Sequence, residues 1–227
     1  MEIIAHRGAS SAGEKNSMEN TLAAFDAAHQ RGADGLEFDV RLAACGTPVI
    51  IHDETLTRTL GIPTRVDALE ATELEALGVP LLATVLWRYA GEMRLFIEAK
   101  TREAAIASAV QMELLRKSGS DAASLILIAF DHEALAEAKS LFPGIVTGAS
   151  FDTPPAPLQA CSLPCAPDWL AVRADCITAR TVTESLQANL RLAAWTVNDA
   201  KQARRLHLLG VDAVITDRPQ EAREWLL

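Results

Sequence analysis

The chain has 227 residues, of which 49% are hydrophobic and 22% charged, and its formal net charge is −9. A hydrophobic fraction of this size can form a sizeable core, so extensive disorder is not expected. The acidic balance excludes a protein that binds nucleic acid through a basic surface, and it argues against a stable polybasic membrane anchor. It leaves room for a small anionic substrate, because a metal ion or a few cations can reverse the local field inside a pocket.

The N-terminal residues MEIIAHRG lead directly into an apolar run and lack the features of a signal peptide. No apolar run is long enough to span a bilayer. We therefore expect a cytoplasmic protein, either a monomer or a homodimer. The cysteines are interpreted as free thiols of a reducing compartment, because no second Cys/His pair follows the CxxxC spacing. These are Cys45, Cys161, Cys165 and Cys176.

Short apolar runs alternate with amphipathic stretches, which is typical of βα units and a parallel sheet. The first run is Ile3–Ala5, and a helix with one apolar face is predicted over Glu19–His29. A second run, Leu36–Leu42, is followed after a few residues by Val49–Ile51. That gap is too short for a crossover helix, so we interpret Val49–Ile51 as a hairpin-like excursion and not as a barrel strand.

Residues 54–80 are the least regular stretch, and we expect a loop and short helices there, above the sheet. The alternation then becomes regular. Further strands are predicted at 95–99, 125–129, 145–149, 169–173, 192–197 and 213–216. Further helices are predicted at 82–89, 102–118, 132–141, 181–190, 199–209 and 219–226. Without the hairpin run the strands number eight, which predicts an α/β fold of the (β/α)8 TIM-barrel type in one domain, residues 1–227.

Polar side chains interrupt the apolar pattern near the carboxyl ends of several predicted strands, where barrel active sites lie. Glu37 and Asp39 are two residues apart in one strand, so both carboxylates point to the same face. Phe38 and Val40 then point to the opposite face, beneath the helices. Glu98 repeats the arrangement with Lys100. Other polar residues at strand ends are His6, Arg7 and Asp217.

Three carboxylates that converge in a pocket of low dielectric repel one another, and their charges are costly to bury. A divalent cation would remove this cost, and ligands that are all oxygen favour Mg²⁺ or Ca²⁺, with Mn²⁺ as a third candidate. Ion pairs of Glu37 and Glu98 with Arg7 and Lys100 would remove it as well. The alternation of side chains leaves both explanations open.

His6 and His52 each end an apolar run, so each can reach the same barrel mouth. Imidazole titrates near neutrality, so one histidine can accept a proton while the other donates one. Together with a divalent cation and with Arg7 and Lys100, this set is suited to phosphodiester cleavage. No glycine-rich phosphate loop follows a strand, which disfavours a nucleotide-binding enzyme. The remaining histidines, His29, His132 and His207, fall in predicted helices and are interpreted as surface or packing residues.

Several stretches now carry a resemblance to a known family. AHRGAS, MENTLAAFDAAHQRGADGLEFDVRL and PVIIHDETLTRTL occur in that order, followed by LFIEAK at 95–100, AAWTVN at 193–198 and GVDAVITDRP at 210–219. The chain resembles the glycerophosphodiester phosphodiesterase family, in particular its short cytoplasmic bacterial members. The spaced set HRG, ENT, ExD, HD and ExK is highly specific, whereas residues 121–190 match only loosely.

The resemblance implies a barrel with a small insertion after the HD motif, here about residues 54–80. It implies that glycerophosphodiesters are hydrolysed to glycerol 3-phosphate and an alcohol, either by direct attack of water or through a cyclic phosphate. It implies that His6 and His52 are the acid–base pair and that one divalent cation is bound. Its ligands would be Glu37, Asp39 and Glu98, and the substrate-binding residues would be Arg7, Lys100, Glu19, Asn20 and Trp195.

The chain departs from the family pattern at Ser17-Met18 and at Ala43 and Cys45, which we expect to alter the rate more than the reaction. One alternative is a phospholipase D-type enzyme that acts on lysophospholipids. Such an enzyme should expose an apolar lip, for which Leu60–Pro63 and Val79–Leu82 are the candidates. Another alternative is a barrel that binds phosphodiesters without catalysis. It is disfavoured because every expected chemical group is present.

Overall fold

The computed structural model describes residues 1–9, 18–119, 121–158 and 165–226. Within these residues, parallel strands form a closed barrel, because the first strand pairs with both the second and the last. The strands are β1 (Glu2–His6), β2 (Gly35–Leu42), β3 (Pro48–Ile50), β4 (Arg94–Ala99), β5 (Leu125–Ala129), β6 (Val146–Phe151), β7 (Trp169–Arg173), β8 (Arg191–Trp195) and β9 (Ala213–Thr216). All except β3 belong to the closed barrel, so the predicted (β/α)8 TIM barrel is confirmed.

Helices connect successive barrel strands and cover the outside of the barrel. They are α1 (Leu22–Gln30), α2 (Thr57–Leu60), α3 (Ala71–Ala76), α4 (Leu82–Tyr89), α5 (Arg102–Lys117), α6 (His132–Leu141), α7 (Ala179–Gln187), α8 (Ala200–Leu209) and α9 (Pro219–Trp225). No helix in the described ranges combines the length and the apolar character needed to cross a membrane.

Side-chain alternation along β2 produces two separate apolar layers. Phe38 and Val40 are fully buried between the barrel and its helices, and Phe38 packs against Phe25 of α1 with ring centroids 5.5 Å apart. The barrel interior has its own apolar cluster, in which Phe96 meets Trp169 edge to face at 5.1 Å. The predicted division of β2 into a helix-facing and an inward-facing side is therefore confirmed.

The hairpin-like excursion is confirmed as β3, which pairs antiparallel with β2 in the register Val40 to Ile50. After β3, residues 54–80 form α2, a 3-10 turn and α3, as the irregular sequence predicts. Leu56, Val66 and Leu74 of this stretch are buried together in a small cluster with Val49 of β3. The assignment of 54–80 as an insertion within one domain of 227 residues stays a prediction.

Some element boundaries differ from those predicted. Helix α1 begins at Leu22 and not at Glu19, because Thr21 is the N-cap and its hydroxyl accepts a bond from the Ala24 N–H at 3.3 Å. Glu19 and Asn20 therefore remain in the loop before the helix. Apolar periodicity could not locate this start, since Leu22 and Phe25 fit either boundary.

Strand β8 ends at Trp195 and not at residue 197, because Trp195 pairs with Arg173, where the neighbouring strand β7 also ends. Helix α7 spans 179–187 in place of the predicted 181–190, since Thr178 forms a capping box with Thr181. Strand β6 extends to Phe151, two residues beyond the prediction. Ser17 and residues 159–164, which include Cys161, lie outside the described residues. The other cysteines are free thiols.

The burial of Phe38 provides a test of the packing between β2 and α1. Phe38→Ala should lower the free energy of unfolding by about 3–5 kcal/mol, because it removes a fully buried ring and leaves a cavity. Leu208→Ala is the matched control, since Leu208 is 85% exposed, and it should change stability by less than about 0.5 kcal/mol. Urea denaturation followed by circular dichroism measures both. Equal effects of the two variants would contradict this packing.

Candidate active site

A cleft of about 200 Å³ opens at the carboxyl ends of the barrel strands. It has a charged side and an apolar side. Its lining residues are His6, Arg7, Glu37, His52, Glu98, Lys100, Ile128, Phe130, Ser150, Trp195, Thr196 and Ile215. Seven of the residues predicted for the site are among them. Asp39 and Glu19 lie behind this lining in contact with Arg7, and Asn20 in turn contacts Asp39.

His6, the last residue of β1, is held by two carboxylates. Its Nδ1 lies 2.6 Å from Asp217 Oδ1, and its Nε2 lies 3.8 Å from Glu37 Oε2. Burial alone would lower the pKa of His6, but the hydrogen bond to Asp217 and the charge of Glu37 outweigh it, so the pKa is raised above its ordinary value. With Nδ1 engaged by Asp217, Nε2 is the ring nitrogen left for a substrate.

Asp217 is itself fixed by the Asn198 side chain. Asn198 Nδ2 donates to Asp217 Oδ2 at 2.5 Å, while Asn198 Oδ1 accepts from the Asp217 N–H at 2.9 Å. Partial burial would raise the pKa of Asp217, but the bonds from His6 and Asn198 lower it, so the carboxylate stays charged. The sequence placed Asp217 at a strand end without a role and offered no role for Asn198. For Asn198, the signal of a role in the site was its position at the end of the matching stretch AAWTVN.

His52 reaches the cleft from the end of β3. Its Nδ1 lies 2.6 Å from Asp53 Oδ1, and its backbone carbonyl accepts a bond from Arg41 Nε at 2.7 Å. A hydrogen bond from Arg58 lowers the pKa of Asp53 to about 2. Both histidines therefore use Nδ1 to bind an aspartate and leave Nε2 for other partners. The role of Asp53 was missed, although it directly follows His52 in the HD motif.

Glu37, Asp39 and Glu98 converge, as the alternation of side chains predicts. Asp39 and Glu98 are register partners on β2 and β4, and one oxygen from each of the three carboxylates lies within 4.8 Å of the others. Burial, together with the charge of Asp39, raises the pKa of Glu37 to about 8. Burial also acts to raise the pKa of Asp39, but Lys100 and Arg7 outweigh it and lower that pKa.

Two cations lie beside this cluster. Lys100 Nζ is 2.8 Å from Asp39 Oδ1 and also contacts the Glu98 carboxylate, while Arg7 Nε is 3.1 Å from Asp39 Oδ2. The predicted ion pair of Glu98 with Lys100 is thus present. Among the described residues Glu37 has no ion pair with the Arg7 guanidinium, and its nearest charged partner is His6. The ion-pair explanation therefore accounts for Asp39 and Glu98 but not for Glu37.

The carboxylates fit a divalent cation. The donors are all oxygens, as hard cations require, and Glu37 and Glu98 both face the cleft. Glu37 is 2% exposed, and burial with the charge of Asp39 raises its pKa by more than His6 and Lys100 lower it, so a bound cation would remove the remaining cost. Glu37, Asp39 and Glu98 are the residues that would hold it.

The ENT residues support the charged side from behind. Asn20 Nδ2 donates to Asp39 Oδ2 at 2.8 Å, and the Asn20 N–H donates to the Arg7 carbonyl at 2.9 Å. Glu19 Oε1 accepts a bond from Arg7 Nη1 at 3.0 Å. Gly8 has a φ of +87°, and a Cβ there would lie 2.8 Å from Ala24. Glycine therefore lets the end of β1 approach α1 closely and brings Arg7 to the mouth.

The apolar side of the cleft is centred on two aromatic rings. Trp195 at the end of β8 meets Phe130 edge to face, with centroids 5.8 Å apart. Phe130 was not predicted, because it falls in a turn after β5 where no pattern singles it out. Of the proposed apolar lip, Val79 and Leu82 are buried within the protein, so Val79–Leu82 does not form an exposed apolar surface.

Comparison with known proteins agrees with this geometry. The model of the Glycerophosphoryl diester phosphodiesterase family matches residues 6–221. The chain belongs to this family. It is 28% identical to a glycerophosphodiester phosphodiesterase of Caldanaerobacter subterraneus, over 96% of this chain and 94% of that one. The predicted family and enzyme class, a phosphodiesterase, are therefore confirmed.

Two solved structures are similar over nearly the full chain. An Oleispira antarctica phosphodiesterase in complex with the product sn-glycerol-3-phosphate aligns with a TM-score of 0.84 at 29% identity, covering 100% of this chain and 96% of that one. The glycerophosphodiester phosphodiesterase of Thermotoga maritima aligns with a TM-score of 0.79 at 27% identity, covering 98% and 96%. The similarity thus includes the barrel and all strand ends that form the cleft.

The bond between Asp217 and His6 can be tested by titration. Asp217→Asn should lower the pKa of His6 in the metal-free protein, because it removes an interaction that opposes the effect of burial. NMR titration of the His6 ring protons in EDTA measures this pKa. Asp152→Asn, at an exposed aspartate that pairs with Arg173 at 3.7 Å, is the control and should leave the titration unchanged. An unchanged His6 pKa in Asp217→Asn would refute the inference that Asp217 raises the pKa of His6.

Proposed function

We propose that this protein hydrolyses glycerophosphodiesters to glycerol 3-phosphate and an alcohol, using a divalent cation and the His6–His52 pair. The observation that carries the proposal is the cleft itself. It brings two histidines, each bonded to an aspartate, to the same mouth as a carboxylate cluster and two cationic side chains. The relative with sn-glycerol-3-phosphate as its bound product supports the same substrate class.

Arg7 and Lys100 are the groups that would bind the phosphate. Both face the cleft, and both are anchored on Asp39, so their cationic ends stay in place without a substrate. Anchored cations need little reorganisation when negative charge develops on the phosphoryl oxygens during the reaction. A cation held by Glu37, Asp39 and Glu98 would supply Lewis-acid stabilisation of the same oxygens.

His6 and His52 would transfer the protons. Hydrolysis of a phosphodiester needs one proton removed from the attacking hydroxyl or water and one delivered to the alkoxide that leaves. Each imidazole is oriented by an aspartate at Nδ1, which leaves Nε2 for the reacting groups. The proton taken up by one histidine and the proton given by the other balance over one turnover.

The apolar wall would orient the organic part of the substrate. Trp195 and Phe130 lie beside Ile128 and Ile215, which gives the cleft a side without charged groups. The carbon backbone of glycerol can pack there while the phosphate lies on the charged side. Trp195 is thus proposed to bind substrate by contact, and Glu19 and Asn20 to support Arg7 and Asp39 from behind.

The histidine assignment predicts the effect of two substitutions. His6→Ala and His52→Ala should each lower kcat for sn-glycero-3-phosphocholine by about 10²- to 10⁴-fold, because each removes one proton transfer. Release of glycerol 3-phosphate in a coupled assay with Mg²⁺ or Ca²⁺ measures kcat. His29→Ala, at an exposed position on α1, is the matched control and should retain full activity. Near-normal turnover in either site variant would refute the acid–base pair. Lysophospholipids assayed alongside would reveal phospholipase D-type activity.

The metal assignment predicts a binding defect. Glu37→Gln should weaken Mg²⁺ or Ca²⁺ binding by about tenfold or more, because it replaces a carboxylate ligand with a neutral amide. Isothermal titration calorimetry measures the Kd without reference to activity. Glu92→Gln, at an exposed glutamate remote from the cleft, should bind the cation as the wild type does. Equal affinity of wild type and Glu37→Gln, or full activity in EDTA, would exclude this site.

A further inference from the structure

Arg58 makes a contact that joins two parts of the site. It lies on the short helix α2, after the HD motif, and its side chain is 49% exposed. Arg58 Nε donates to Asp53 Oδ2 at 2.6 Å, and Nη2 lies 3.2 Å from Asp53 Oδ1. Such two-point contact between guanidinium and carboxylate fixes orientation as well as distance. The oxygen Asp53 Oδ1 is the same one that binds His52 Nδ1 at 2.6 Å.

The same guanidinium also reaches the loop before α1. Arg58 Nη2 donates to Glu19 Oε1 at 2.6 Å, and this oxygen also accepts the bond from Arg7 Nη1 at 3.0 Å. A continuous chain of contacts therefore leads from His52 through Asp53, Arg58 and Glu19 to Arg7. Its two ends line the cleft, whereas Arg58 lies outside the lining in the described part of the chain.

We propose that Arg58 is a positioning residue, which sets the His52 imidazole and the Arg7 guanidinium at a fixed separation by binding Asp53 and Glu19 at once. The proposal rests on the proposed function, in which His52 moves a proton and Arg7 binds phosphate. Arg58 does not touch the substrate. It acts because His52 and Arg7 belong to segments that are distant in sequence, and Arg58 joins the carboxylates that bind their side chains.

Exposed ion pairs add little to the stability of a fold, so replacement of Arg58 should leave a folded protein. A loss of activity in a variant that remains folded would therefore indicate positioning and not a structural role. Arg65 is a matched control in the same stretch, because it is similarly exposed and also pairs with two carboxylates, Glu54 and Asp67. Neither of those carboxylates contacts a residue of the cleft among the pairs described. Arg65→Ala should therefore keep wild-type kinetics.

The kinetic test uses sn-glycero-3-phosphocholine with saturating Mg²⁺ or Ca²⁺. Arg58→Ala should lower kcat by about tenfold or more, since small displacements of a catalytic group are costly, and it should raise KM because Arg7 is loosened as well. Arg58→Lys keeps the charge but not the two-point contact, so it should recover only part of kcat. A kcat in Arg58→Ala equal to that of Arg65→Ala would overturn the proposal.

A double-mutant cycle tests whether Arg58 acts through Asp53. Asp53→Asn should lower kcat, and the addition of Arg58→Ala to that variant should then have a much smaller effect on kcat than it has in the wild type. Fully additive losses in kcat would overturn the proposed route. The corresponding cycle with Glu19→Gln, read out on KM, tests the branch that leads to Arg7, and additive effects there would overturn that branch.

A readout that does not depend on turnover distinguishes the failure of the Arg58 proposal from the failure of the proposed hydrolysis. In metal-free protein, long-range ¹H–¹⁵N NMR of the imidazole rings should show His52 with its proton on Nδ1 in the wild type and in Arg65→Ala, and a mixture of tautomers in Arg58→Ala. A wild type that does not hydrolyse the substrate would refute the proposed function, while this spectrum still tests Arg58. An identical His52 spectrum in all three proteins would overturn the role of Arg58.

Discussion

Glu37 and Asp39 lie side by side on one strand with 2% and 0% of their surfaces exposed, and much of the surrounding structure serves to make that burial possible. Two carboxylates in a medium of low dielectric raise one another's pKa unless positive charge or hydrogen bonds compensate. Asp39 is contacted by Lys100, Arg7 and Asn20, which together lower its pKa. Glu37 receives less compensation, and its pKa is raised to about 8. A cation bound in the cleft would supply the positive charge that this carboxylate lacks.

The need to neutralise these buried carboxylates also explains why the cations of the cleft are anchored and not free. Arg7 and Lys100 approach Asp39 from two sides, and Arg7 is held in addition by Glu19. The carboxylates thus have two functions, since they hold the cations that would bind phosphate and they form the set that fits a divalent ion. The two histidines are arranged by a similar rule, each with an aspartate at Nδ1 and a second side chain that fixes that aspartate.

Much of the barrel can be predicted from the alternation of side chains along each strand and from the regular succession of apolar runs and amphipathic stretches. The short gap before Val49–Ile51 identified β3 as a hairpin strand, and the spacing of Glu37 with Asp39 placed both carboxylates inside the barrel. Both conclusions depend on local geometry that is the same in every strand. The assignment of chemical roles depended on the family resemblance, because alternation alone left a metal site and an ion-pair network as alternatives.

What could not be predicted depends on partners that are distant in sequence. The bonds of Asn198 to Asp217 and of Arg58 to Glu19 join separate segments of the chain, and no local pattern encodes such pairs. Phe130 belongs to the cleft only because barrel closure brings its turn beside Trp195. The start of α1 was misplaced for a different reason, since a cap depends on one hydroxyl and apolar periodicity does not detect it.

The antiparallel pairing of β3 with β2 has a consequence for how the site is held together. The Ile51 N–H donates to the Asp39 carbonyl at 2.9 Å, so the residue before His52 is joined to a residue of the carboxylate cluster by main chain alone. The main chain that carries His52 is therefore held beside the cluster whatever side chains occupy β3, while the imidazole itself is oriented by Asp53. Residues 61–80, which follow Arg58 and α2, can vary in length or sequence without breaking this main-chain bond, provided that position 51 retains its amide hydrogen and is not proline.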